Sequence, residues 1–62
     1  SLRTLVLTDE HLSAGNTLSS LTLPEKGLVI MIKRDGRYIV PNGKRRLLAG
    51  DTLLIIKESH TQ

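Results

Sequence analysis

No cysteine occurs among the 62 residues, which excludes disulfides and thiolate metal sites. Histidine is scarce: His11 and His60 are the two present, and His60 lies in a polar tail. A metal site needs three or four convergent ligands, so His11 reads as a surface or half-packed residue and no metal is expected. Tyr38 is the one aromatic residue. A single ring provides no platform of the kind on which RNA- and single-strand-binding domains stack bases. No apolar run approaches the roughly 18 residues of a membrane span. There is no signal-peptide pattern, no glycine-rich phosphate loop and no zinc-type spacing. The chain opens at Ser1 rather than Met and is expected to be a piece of a longer protein.

Sixty-two residues make one domain, residues 1–62. Such a domain buries only about 60% of the surface its unfolded chain exposes. Small domains offset this with disulfides, a metal or a partner subunit. The first two are absent from the inventory, so oligomerisation remains.

What the sequence does have is concentrated between Gly27 and Ile56. Leu28 to Ile32 is an apolar run that ends in Lys33-Arg34. Asp35-Gly36 follows, and Tyr38 to Val40 returns. Asp-Gly between two β-rich runs signals a two-residue hairpin turn, because a type I′ turn needs φ > 0 at both central residues. That turn sets Arg34 opposite Arg37, Lys33 opposite Tyr38, Ile32 opposite Ile39 and Met31 opposite Val40. Pro41-Asn42-Gly43 breaks the pairing. Lys44 to Leu48 leads to a second turn at Ala49-Gly50-Asp51, and Thr52 to Ile56 forms one more strand.

These strands are apolar on both faces. By simple alternation Leu28, Ile30 and Ile32 share one face and Val29 and Met31 the other, while Leu53 and Ile55 oppose Leu54 and Ile56. A sheet with one wet face would alternate apolar and polar residues. One helix cannot cover both faces, so either a partner covers the second or the chain closes into a small thick-cored barrel. On the partner reading, Val29, Met31 and Leu54, or the residues that alternate with them, lie in the subunit contact.

The remainder is short. Leu2 to Leu7 reads as a strand with Leu5 and Leu7 on one face. His11 to Leu23 holds the one candidate helix, one or two turns from about Asn16 to Leu21. Leu18 and Leu21 face the sheet at i, i+3 spacing, with Leu12 and Leu23 as flanking anchors. Ser13 or Asn16 can cap its start, and neither has an acidic residue three positions on. Ser19, Ser20 and Thr22 are poor helix-interior residues. Pro24 ends the helix, Glu25-Lys26-Gly27 leads into the hairpin, and Glu58 to Gln62 is a frayed tail.

Net charge is +3, from nine Lys+Arg and six Asp+Glu. Lys33, Arg34 and Arg37 form one basic cluster, and Lys44, Arg45 and Arg46 another. They read either as a patch for phosphates or as solvated strand edges kept from aggregating by charge. Catalysis requires a base or nucleophile held beside an orienting group. The acids instead fall at turns and strand ends, with Asp35 and Asp51 suited to accepting backbone N–H bonds. No enzyme is expected. A small basic nucleic-acid-binding β module is the alternative function, disfavoured by the missing stacking residues.

The order of these pieces resembles a known family. Ala14-Gly15-Asn16-Thr17-Leu18 and Leu21 precede an apolar strand ending Ile32-Lys33-Arg34-Asp35-Gly36. Ile39-Val40-Pro41 and Leu47/Leu48 to Gly50-Asp51 follow, before a closing apolar strand. This resembles the RCK C-terminal, or TrkA-C, regulatory domain. "IKRDGRYIVPNG" looks closest to the version appended to bacterial potassium/proton or sodium/proton antiporters. The resemblance implies an α+β fold, a small, mostly antiparallel sheet with one short helix, forming a two-fold homodimer. It implies a non-enzymatic cytoplasmic domain, attached to a transporter of the bacterial inner (plasma) membrane, that biases its open and closed states. The partners are then a second copy and the membrane-embedded transporter domain. No cofactor is required, and a small anionic effector, such as a nucleotide or cyclic dinucleotide, is the implied ligand. The positions that match the family's effector contacts are Ala14, Gly15, Asn16, Thr17 and Pro41. Backbone N–H groups at a helix start suit a phosphate.

Overall fold

The structure, a computed structural model, describes residues 1–23 and 27–57. Pro24 as helix terminator, the Glu25-Lys26 lead-in, and the tail from Glu58 with His60 lie outside the described residues. Four strands form one antiparallel sheet: β1 (Leu2–Val6), β2 (Leu28–Arg34), β3 (Arg37–Ile39) and β4 (Thr52–Ile56). Their order is β1-β4-β2-β3. The last strand to be made is therefore central, with the first strand along its outer side.

The hairpin forms at Asp35-Gly36, with φ of 49° and 77° at the two positions that demand a positive value. Arg34 faces Arg37, Lys33 faces Tyr38 and Ile32 faces Ile39, as the turn type dictates. The expected Met31–Val40 pair does not join the ladder. β3 ends at Ile39, ahead of Pro41, which has no N–H to donate. On the other side of β2, Met31 pairs with Leu54 of β4.

A bulge in β2 corrects the simple alternation. Val29 pairs with Ile55 and Met31 with Leu54, which leaves Ile30 as the inserted residue. Beyond the bulge the parity of the strand is reversed. Val29 therefore shares a face with Ile32, Leu53 and Ile55. Leu28 does not share that face; it lies with Met31, Leu54 and Ile56.

One face holds the core. Leu7, Ile32, Leu47, Leu53 and Ile55 are buried, and Leu5, Leu12, Leu18, Leu21, Leu23, Val29 and Ile39 pack against them. The leucines expected to anchor the segment before the hairpin do so. That segment holds no α-helix. It contains a 3-10 turn over Leu18–Ser20, started from Thr17 rather than from Ser13 or Asn16. With so little helix, the helical half of the α+β expectation is reduced to this one turn. Gly15, Ser19, Ser20 and Thr22 all disfavour continuation of a helix. Ser20 also serves as a local partner: the Thr17 N–H donates to Ser20 Oγ at 3.1 Å, and Ser20 Oγ donates to the Thr17 carbonyl at 3.0 Å.

The opposite face is open. By register it carries Leu2, Thr4 and Val6 of β1, Leu54 and Ile56 of β4, and Leu28 and Met31 of β2. Leu2 is 61% exposed, Leu28 67% and Ile56 46%. No element among the described residues covers this face.

Candidate functional site

The densest polar arrangement lies where β2 ends beside the turn that starts β4. Lys33 pairs with Thr52, so antiparallel register carries Arg34 alongside Asp51. Arg34 Nε donates to Asp51 Oδ1 at 2.8 Å and Nη2 to Asp51 Oδ2 at 2.7 Å, a bidentate ion pair. Asp51 is 1% exposed. Its second job was legible from the turn: Oδ2 accepts the Leu48 N–H at 2.8 Å. Hydrogen bonding to Arg34 holds the Asp51 carboxyl below the ordinary carboxylate range, over the opposing effect of burial, with the Leu48 N–H and the charge of Arg34 assisting. The same bonds raise the pKa of Arg34.

Arg34 continues outward, where Nη2 donates to the Arg46 carbonyl at 3.0 Å. This ties the 42–46 segment to the sheet. The segment is fixed from the other side by the 3-10 turn. Thr17 bridges Arg46. The Leu18 N–H donates to the Arg45 carbonyl and the Ser19 N–H to the Gly43 carbonyl, both at 3.0 Å. Asn42 orders the loop from within, its Oδ1 accepting the Lys44 N–H at 3.0 Å. Arg34, Asn42, Lys44, Arg45 and Arg46 line an open groove of about 430 Å³. A second groove, of about 520 Å³, lies beside it along Arg34, Asp35, Arg37, Tyr38 and Ile39.

The five positions matched to effector contacts differ in exposure. Ala14 and Asn16 are exposed, while Gly15, Thr17 and Pro41 are half-buried. Thr17 lies against the 43–46 segment, and the Asn16 carbonyl accepts the Leu47 N–H at 2.6 Å. Gly15 has φ 153° and sits so close to Ser20 that an added Cβ would lie 2.7 Å from Ser20 Cβ. The backbone cradle expected for a phosphate is not open. The Thr17 N–H is bound to Ser20 Oγ, those of Leu18 and Ser19 to the 43–46 segment, and that of Ser20 to the Thr17 carbonyl. Sequence reasoning missed Asn42, and left Lys44 to Arg46 open between a patch for phosphates and a solvated strand edge. The signal was the basic triplet itself, which is ambiguous until the fold shows what stands beside it.

The interface candidates divide. Met31 and Leu54 pair on the open face, whereas Val29 packs against the core. His11 is half-buried, and its Nδ1 accepts the Thr8 N–H at 3.0 Å. Lys33 Nζ lies 5.8 Å from the centre of the Tyr38 ring, a cation–π contact at the sheet edge.

Comparison with known families matches residues 2–61 to the TrkA-C domain. No curated protein and no solved structure matches the chain.

Proposed function

We propose a regulatory role from one premise: the chain belongs to the TrkA-C domain family. Such domains are regulatory parts of cation transport proteins, not catalysts. No helix among the described residues is long and apolar enough to cross a membrane. The finer reading is a cytoplasmic ligand-sensing and dimerisation domain of a bacterial inner-membrane potassium/proton or sodium/proton antiporter. Its partners are a second copy of the chain and the membrane-embedded transporter domain, and its effector is a small anion of the nucleotide or cyclic-dinucleotide class.

The observation that carries this reading is the open apolar face of the sheet. Leu28, Met31, Leu54 and Ile56 form a continuous apolar strip there, which favours the partner reading over a closed barrel. A second copy with the same face is the simplest cover, since a two-fold contact asks one patch to complement itself. An effector shifts such a pair between states only through its difference in affinity for them. Light scattering across a concentration range, with and without a nucleotide panel, tests both halves. A dimer tightened by a nucleotide supports sensing, a dimer indifferent to all leaves assembly alone, and a monomer at every concentration overturns the reading. Met31→Asp is expected to give a monomer, because the contact would bury a carboxylate without a partner.

A further inference from the structure

We propose that the groove between Asn42 and Arg46 is a site for a small phosphate-bearing anion, with Arg45 and Lys44 as its main contacts. Four of its lining residues are cationic: Arg34, Lys44, Arg45 and Arg46. Arg34 is paired with Asp51, whereas Lys44, Arg45 and Arg46 have no acidic partner among the described residues. Surface cations usually spread or pair. Three held together on one wall leave a field that an oxyanion relieves.

A second observation comes from Arg45. Its Nε is buried and has no hydrogen-bond partner. Buried donors are nearly always satisfied, so this orphan is relieved when an acceptor in the groove draws the guanidinium outward. Phosphate oxygens match the guanidinium fork, and a charged acceptor forms the stronger bond. The wall is also preorganised. Leu18 holds the Arg45 carbonyl, Arg34 holds that of Arg46, and Asn42 holds the Lys44 N–H. A volume of about 430 Å³ suits a small molecule rather than a nucleic-acid strand. These residues are distinct from the positions carried over by resemblance, and the ligand is held by side chains rather than by the occupied amides of the 3-10 turn. The proposal rests on the sensing reading only for its consequence to transport.

The test is a titration of the 62-residue chain with sodium pyrophosphate at constant ionic strength, followed by backbone amide shifts. Saturable shifts centred on residues 42–46, with an apparent Kd of about 1 mM or below, are expected. Lys44→Ala and Arg45→Gln should each weaken binding about tenfold. Arg37→Gln removes the same charge outside this groove and should change binding by less than about twofold. Should Arg45→Gln fail to fold, Lys44→Ala against Arg37→Gln decides. Equal weakening by Arg37→Gln, a non-saturating response, or binding only to vesicles containing phosphatidylglycerol overturns the proposal. Light scattering on the same samples separates the two readings. Binding without a change in mass keeps the site and removes its role in dimer sensing.

Discussion

Asp51 shows how much one side chain of this domain carries. A buried carboxylate is tolerable only when paired, and removing one partner leaves the other uncompensated. Asp51→Asn is expected to destabilise the chain by about 3 kcal/mol, read as a lower urea midpoint at unchanged slope. A chain of 62 residues has a total of only roughly 3–9 kcal/mol at typical stability per residue. The pH dependence follows in sign. Asp51 has a lowered pKa in the folded state. Its contribution is fully present above the unfolded carboxylate value of about 3.9 and is lost as pH falls through the depressed folded value. Urea midpoints taken from pH 5 downward should fall for the wild type, and Asp51→Asn should lack that component. Arg34 acts in the opposite sense, at alkaline pH beyond its ordinary value, so it adds no slope in this window. The turn role of Asp51 was legible in the sequence, since a Gly-Asp turn invites a backbone-accepting carboxylate. Its pairing with Arg34 was not, because that depends on β4 lying beside β2, a non-local fact.

Elements were legible where local chemistry decides them and obscure where two segments compete. Asp35-Gly36 specified its turn and the first three pairs of its hairpin, because positive φ at both positions leaves little else. The bulge at Ile30 was hidden, since Leu28 to Ile32 is apolar throughout and carries no parity signal. That one residue moved Val29 from the expected interface to the core. The helix shrank for a related reason. The Leu18 and Ser19 amides find better partners in the 43–46 segment than in a further helical turn. The 3-10 turn depends on Gly15, where positive φ and the approach of Ser20 both exclude a side chain. Gly15→Ala is expected to cost more than about 1 kcal/mol. Gly43, whose added Cβ would make an ordinary 3.4 Å contact with Ser19, provides the control. Gly43→Ala should stay within about 0.5 kcal/mol in the same thermal or urea measurement.

At the scale of the whole molecule, the two ends of the described chain extend the pairing of β1 with β4. Ser1 and Lys57 exchange backbone bonds, with the Lys57 N–H donating to the Ser1 carbonyl at 2.8 Å and the Ser1 ammonium to the Lys57 carbonyl at 2.9 Å. This leaves a single layer of sheet with one face packed beneath the 8–23 and 42–48 segments and one face apolar and open. The doubly apolar strands were visible in the sequence, but the identity of the open face was not, because only the bulge reveals which residues turn outward. If that face is the contact between two copies, folding and association are one equilibrium. Stability then depends on protein concentration, since only the folded form associates. The thermal midpoint of the wild-type chain should therefore rise with each tenfold increase in concentration. Met31→Asp should remove that dependence and lie below the wild type most clearly at high concentration. Val29→Ala, on the packed face, should lower the midpoint by about the same amount at every concentration while the dependence persists, as expected for a loss of core packing of about 1–2 kcal/mol. A wild-type midpoint that does not move with concentration would assign the open face to something other than a second copy, with the proposed transporter partner as the next surface to test.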